Sequence, residues 1–215
     1  VKAACDRAHT LGFKVAAHVE SPEGVRVALE NGVDSIEHGA KPTEEIMTLF
    51  KERQAFQVST ISPALPFALF DREVSHATYE QQENGKIVFE GIIALAKECL
   101  KQGIPVGLGT DTACPYVTQY DMWRELCYYV KFCGVSPRFA LYSATLLNAT
   151  LAGIGAITGS IEPGKQAEMV VTDENPLENL QTLRHPAMVI MQQQIFRAPQ
   201  VRKIPEVETE LDKWL

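Results

Sequence analysis

Three times along this chain a helical-looking segment closes on glycine, a short apolar run follows, and the run stops at a titratable residue. "AHTLG" leads into "FKVAAHVES", whose apolar run ends at His18. "ALENG" leads into "VDSIEHGA", which ends at His38, and "CLKQG" leads into "IPVGLGTDTA", which ends at Asp111. Gly12, Gly32 and Gly103 suit the left-handed position past a helix end, which glycine adopts without steric cost. A fourth run, "AFQVSTISP", ends in the hydroxyls of Ser59, Thr60 and Ser62.

A repeated helix–glycine–strand–polar unit calls for a parallel sheet, because each crossover between parallel neighbours needs a helix. The pattern predicts strands over residues 13–18, 33–37, 55–60 and 104–109. Helices are expected over 2–10, from Ser21-Pro22-Glu23 to Asn31, from Thr43 to residue 53, and over 81–102, 119–132 and 136–151. Ser21 caps, Pro22 takes the first turn, and Glu23 favours the positive end of the helix. Residues 61–80, "ISPALPFALFDREVSHATYE", mix prolines with aromatics and predict a long connection of the kind that serves as a lid or binding loop.

Two architectures satisfy this pattern, an open doubly wound sheet and a (β/α)8 barrel, and both gather functional residues at strand C-terminal ends. No GxGxxG fingerprint is present, and "GLGTD" lies within and after a strand, where it offers little to a pyrophosphate. Polar residues at four successive strand ends favour the barrel, whose mouth collects them all. A complete barrel takes about 250 residues, so four strands make half of one. From residue 157 the texture changes: "GSIEPGKQAEMVVTD" and "HPAMVIMQQQIFRAP" predict two or three strands of a small β unit. The expected fold class is therefore α/β. A partial TIM-type barrel covers residues 1–155 and part of a small β domain covers 156–200. The charged tail 201–215 forms either a loose extension or a peripheral helix.

With 215 residues, 46% hydrophobic and 22% charged, the chain has material for one large core. A net charge of −7 argues against binding nucleic acid or an anionic membrane through charge. No apolar run approaches the ~20 residues of a membrane span. Five scattered cysteines without a CxxC pair predict reduced thiols. Val1 opens directly into a helical stretch with neither initiator Met nor leader, as expected of a chain cut from a larger protein; a cytoplasmic location is expected.

A lone histidine at a strand end is ordinarily a hydrogen-bonded core or loop residue. An aspartate after "GLGT" is commonly a helix cap or turn former. Two histidines and one aspartate at matching positions of a repeat are harder to dismiss, because two imidazoles and a carboxylate at one barrel mouth suit a borderline divalent ion such as zinc. His18 and His38, 20 residues apart, fall on adjacent strands, and Asp111 falls two strands further on. His76, in the proline-containing stretch, is either a substrate contact or a surface histidine. Phe67 and Phe70 either cover the substrate or pack down, Cys114 is expected to be buried and inert, and nothing separates Tyr116 from packing.

Taken in order, these stretches resemble one family. "VAAHVESPEGVRVALENGVDSIEHG" resembles the fifth and sixth barrel strands of the metal-dependent amidohydrolase superfamily, and "IPVGLGTDTA" its eighth. "FALYSATLLNATLAGIGAITGSIEPGKQAEMVV" resembles the family's C-terminal helix and the return to its small β domain. The imidazolonepropionase-related and prolidase-like branch is the nearest, and the likeness covers residues 1–198. It implies strands 5–8 of a barrel and a divalent metal, zinc above others, as one ion or a pair. His18 and His38 would be metal ligands, or one of them would orient water beside a single ion. Asp111 would be both a ligand and the acceptor of a proton from water.

The implied reaction is hydrolysis of an amide, cyclic amide or dipeptide C–N bond. A heterocycle deaminase with one metal, a non-catalytic scaffold homologue, and an open-sheet nucleotide-binding module are the alternatives. The family's His-x-His pair on the first strand, and the carboxylated lysine of many members, would lie before Val1. A small-molecule substrate and self-association into a homo-oligomer are expected, and the chain alone is expected to be inactive. Three places depart from the family pattern. Glu20 follows His18 on the same strand face, as an acceptor behind the ligands or a solvated group at the helix start. Glu168 replaces the usual aspartate, and Gln192–Gln194 replace a glycine-bearing turn.

Overall fold

Side chains at the element boundaries fix the starts of the helices that follow the first two strands. The computed structural model describes residues 1–215. The first elements are α1 (Lys2–Thr10), β1 (Ala16–Val19), α2 (Pro22–Glu30), β2 (Ser35–His38), α3 (Glu44–Arg53) and β3 (Phe56–Ser59). They are followed by α4 (Ile61–Leu69), α5 (Arg72–Ser75), α6 (Tyr79–Lys101) and β4 (Val106–Leu108). Ser21 Oγ accepts the Gly24 amide at 3.1 Å at the start of α2, and Thr43 Oγ1 accepts the Ile46 amide at 3.2 Å at the start of α3. Thr78 and Gln81 form a reciprocal capping box at the start of α6. Gly12, Gly32 and Gly103 follow their helices at φ 81°, 91° and 72°, as the sequence pattern requires.

The four strands form one parallel sheet in the order β1-β2-β3-β4. They are shorter than the runs suggested, because Phe13–Val15 lead into β1 and only residues 35–38, 56–59 and 106–108 of the later runs pair as strands. Val25, Leu29, Ile36, Ile46, Phe50, Leu65, Ile92, Leu95 and Val106 are fully buried between sheet and helices. Each such side chain contributes about 1.5–3 kcal/mol through burial.

The segment 61–80 is not the long connection its prolines suggested. Residues 61–69 form α4 and 72–75 form α5. Pro63 lies in the first turn of α4, where a backbone N–H has no intrahelical partner, so only Pro66 breaks the ladder. Nearly every residue of α4 is buried, and Phe70 with it at 2% exposure, so Phe70 packs down. Tertiary burial here outweighs helix propensity.

The chain divides into two compact units, Val1–Gly109 and Thr110–Leu215. The second holds α7 (Met122–Cys133), then α8 (Pro137–Tyr142), a π-helical turn (Ser143–Leu147) and α9 (Asn148–Leu151) in direct succession. An antiparallel sheet follows, β5 (Met169–Val171), β6 (Met188–Met191) and β7 (Gln194–Arg197), with a 3-10 turn at Leu180–Arg184 before β6. The charged tail is a helix, α10 (Pro205–Asp212), with Glu208 and Leu211 buried. No helix is long and apolar enough to cross a membrane.

Candidate metal centre

His18 and His38 end neighbouring parallel strands, yet simple alternation would send them to opposite faces. In the β1–β2 register His18 pairs with Glu37, and His38 pairs with Val19. Paired residues of parallel strands share a face, so His38 would lie with Val19 and Ile36 against the helices. The backbone prevents this. His38 has φ 65° and Gly39 φ 101°, both left-handed, and the break swings the imidazole round to meet that of His18. The ring centroids are 4.6 Å apart, edge to face, at an interplanar angle of 79°. A Cβ on Gly39 would lie 2.3 Å from Leu95 Cδ2, so glycine is required there by space as well as by conformation.

Two polar residues hold His38. Thr60 Oγ1 lies 2.5 Å from Nδ1, and Gln57 Nε2 donates to the His38 carbonyl at 2.9 Å and to the Ile92 carbonyl at 3.3 Å. Thr60 occupies the N-cap position of α4 but makes no cap bond with its side chain, so the hydroxyl serves the histidine. Gln57 is fully buried in the middle of β3. Its role escaped the sequence reasoning. The available signal was a glutamine inside the otherwise apolar run "AFQVST", together with the hydroxyls that end it.

Glu20 completes the group. One ligand atom each from His18, Glu20 and His38 lie within 4.8 Å of one another, with His38 buried and the other two exposed. Glu37, the other nearby carboxylate, accepts a hydrogen bond from Ser35 Oγ at 2.6 Å. His76 sits just past α5 at φ 55°, exposed to solvent, and is not one of the clustered donors.

Asp111 belongs to the second unit. It follows β4 in a turn with three non-glycine residues at positive φ: Asp111 at 52°, Ala113 at 89° and Tyr116 at 65°. Asp111 is exposed, and the Cys114 thiol donates to its Oδ2 at 3.3 Å. Cys114 is thus half-buried and engaged with the aspartate, in place of the inert buried thiol expected from sequence. Tyr116 is half-buried.

Chemically, two imidazole nitrogens and a carboxylate oxygen at this spacing suit a borderline divalent cation. Comparison with known proteins places this geometry in context. A model of the amidohydrolase family matches residues 1–193. The ochratoxinase of Aspergillus niger is 29% identical over 176 residues, covering 81% of this chain and 35% of its own. The crystal structure of a prolidase-like protein from Bifidobacterium longum superposes with a TM-score of 0.95 at 39% identity, covering 99% of this chain and 54% of that one. A Xaa-Pro dipeptidase structure with methionine bound in its active site gives a TM-score of 0.82 at 29% identity, covering 91% and 48%. The chain therefore spans between about a third and a half of these relatives.

Proposed function

This chain belongs to the amidohydrolase family, and on that premise we propose that it supplies half of a metal-dependent hydrolase that cleaves an amide-type C–N bond with water. The four parallel strands are the second half of a (β/α)8 barrel, and His18 and His38 stand at its mouth. The observation that carries this reading is the left-handed break at His38, which brings two imidazoles to 4.6 Å at the ends of adjacent strands. A bare packing role would not call for that conformation.

The donor set fits the group. Thr60 engages Nδ1 of His38, so Nε2 is the nitrogen His38 presents to an ion, and His18 presents its exposed ring beside it. A divalent cation held there would lower the pKa of water towards neutrality and polarise a carbonyl. The family resemblance assigns Asp111 the proton transfer: it would take a proton from the attacking water and return it to the leaving nitrogen. Among substrates, a dipeptide with proline on the leaving side is favoured by the likeness to the prolidase-like and dipeptidase structures. Zinc is the metal best suited to histidine nitrogen with carboxylate oxygen at an open site.

The test is hydrolysis of Xaa-Pro dipeptides by the protein that carries this chain, followed by ninhydrin detection of the freed amino acid. His18→Ala and Asp111→Asn are each expected to lower kcat/KM by at least about 100-fold, the usual contribution of a positioned acid–base or metal-activated water. Variants that stay within a few-fold of the parent reject these roles. Ammonia released without a new amino acid points to deamination instead.

A further inference from the structure

We propose that α10 is a positioning element for the turn that carries Asp111, gripping the far end of that turn through Asp121 and Arg124. The inference rests on the reading above that gives Asp111 the proton transfer, and it adds the part of the fold that holds the carboxylate in place. All the residues concerned lie in the second unit.

The turn needs an outside hold. Asp111, Ala113 and Tyr116 stand at φ 52°, 89° and 65°, a conformation that side chains keep only where their surroundings over-determine it. Backbone bonds run along the turn in short steps: the Cys114 amide donates to the Asp111 carbonyl, the Val117 amide to the Cys114 carbonyl, and the Ala113 amide back to the Val117 carbonyl. Apolar anchorage is slight, because Val117 and Asp121 are the only buried residues between positions 111 and 121. A segment with so little buried area opens locally at low cost unless something fastens its end.

Asp121 is that fastening. It occupies the N-cap position of α7, where an aspartate ordinarily accepts from an amide of the first turn, yet its side chain makes no cap bond. Its Oδ2 accepts from the Thr118 hydroxyl at 2.5 Å, and its Oδ1 accepts from Arg124 Nε at 3.1 Å. The same guanidinium donates to Asp212 at 2.6 Å and to Glu208 at 3.1 Å, both on α10. Arg124 is 1% exposed, so these charged bonds act in a low-dielectric setting. A second contact lies beside the first. The Tyr120 hydroxyl accepts from the Ile204 amide at 3.4 Å, and the Lys203 ammonium lies 5.8 Å from the Tyr120 ring. A tail that merely covered the body of α7 would not need to reach Tyr120 and Asp121. The hold thus passes from α10 to Arg124, Asp121 and Thr118 by side chains, and from Val117 to Cys114 and Asp111 by the bonds of the turn. Release of α10 frees the end of the turn, lets the left-handed residues relax, and moves the Asp111 carboxylate off its line.

The experiment uses the full-length protein that carries this chain, with Xaa-Pro dipeptides as substrate and, separately, amide hydrogen exchange over residues 111–121. Glu208→Gln combined with Asp212→Asn is expected to lower kcat at least about 10-fold with KM within about 2-fold, as for a misplaced acid–base group. Exchange at the amides of Ala113, Cys114, Val117 and Asp121 should quicken at least about 10-fold, while the amides of β1–β4 keep their protection. Thr118→Val leaves α10 in place and cuts only the bond from the turn to Asp121. It is expected to produce both effects, Thr118→Ser is expected to reverse them, and the pair serves where the double variant fails to fold. Ile46→Val, a modest core change in α3, is expected to lower the Tm and leave both kcat and the exchange of the turn at parental values, which separates positioning from loss of stability. Parental exchange over 111–121 in the double variant and in Thr118→Val, or a fall in kcat as large in Ile46→Val, overturns the proposal. Asp111→Asn at the parental rate overturns the assignment of Asp111 itself. An inactive Asp111→Asn beside parental kcat in the double variant and in Thr118→Val overturns the role of α10 alone, so the two failures are distinguishable.

Discussion

At His38 the backbone leaves the strand conformation one residue before Gly39 does the same, at φ 65° and 101°. A non-glycine residue in this region costs about 1–2 kcal/mol. Two hydrogen bonds hold it, the Thr60 hydroxyl on the ring and the Gln57 amide on the carbonyl, and the lack of a Cβ at Gly39 leaves room for Leu95. Thr60 is the informative residue to change, because valine keeps its shape and removes only the hydroxyl. Thr60→Val is expected to cost about 1–3 kcal/mol, since it leaves a buried ring nitrogen without its acceptor or donor. It is also expected to weaken Co²⁺ binding about 10- to 100-fold by loosening the ring, and Thr60→Ser should restore both. Affinity unchanged in the valine variant would show that the hydroxyl does not orient His38.

At the scale of elements, α4 and α6 meet through a glycine. A Cβ on Gly85 of α6 would lie 2.7 Å from Phe67 Cβ and 3.0 Å from the Phe67 backbone carbon in α4. In an exposed helix interior, glycine to alanine gains about 1 kcal/mol of propensity. Here overpacking of about 1–3 kcal/mol is expected to outweigh the gain, so Gly85→Ala should lower the Tm. A raised Tm would show that the two helices can separate at no cost. The same contact explains what the sequence hid. Residues 61–69 are apolar almost throughout, so no 3.6-residue period marks a helix, and two prolines argue against one; only burial on all sides makes α4 stable.

The strands of the hairpin between β6 and β7 were expected from "HPAMVIMQQQIFRAP", but the geometry of its turn was not legible. Gln192 and Gln193 both adopt positive φ, 50° and 65°, in a turn that usually announces itself with asparagine and glycine. The capped helices α2 and α3, by contrast, were readable from Ser21-Pro22 and Thr43 because local hydrogen bonds decide where a helix begins, whereas the Thr78 cap of α6 lay hidden in the stretch read as a connection. The site divides in the same way. His18 and His38 were legible as strand ends in a repeat. The side to which His38 points depends on one dihedral angle, and the hold of Thr60 and Gln57 depends on pairing across β2 and β3, neither of which leaves a local mark.

Across the second unit, a network of buried charge fastens α10, and with it the end of the chain. Arg124 is 1% exposed and reaches Asp121 at 3.1 Å, Glu208 at 3.1 Å and Asp212 at 2.6 Å. Arg184 pairs with Glu208 at 2.6 Å and Asp212 at 3.0 Å, and both guanidinium groups lie near the Trp123 ring. The Lys131 ammonium donates to the Trp214 carbonyl at 2.7 Å. Two carboxylates in this network titrate in opposite directions. Burial pushes Asp121 above its ordinary value, and hydrogen bonds from Thr118 and Arg124 only partly offset it. Burial also acts upward on Asp212, but hydrogen bonds from Arg124 and Arg184 overcome it and hold Asp212 below its ordinary value.

A depressed carboxylate contributes stability above its unfolded pKa and loses it as pH falls through its folded pKa. The share of Asp212 is therefore complete above about pH 4 and is lost below it. The share of Asp121 has the opposite sign, because a raised carboxylate costs stability as pH climbs from about 4 through its folded value. Trp214, just past α10, reports the release of this helix in a Trp123→Phe background, since the chain has two tryptophans. Asp212→Asn should reduce stability at pH 7 and flatten the decline below pH 4, because the asparagine has no proton to gain. Asp121→Asn should remove the fall in stability on the alkaline side of pH 4. An acid limb unchanged in Asp212→Asn would mean that α10 is held by its apolar contacts at Leu211, and that the arginines serve only to neutralise the acids around them.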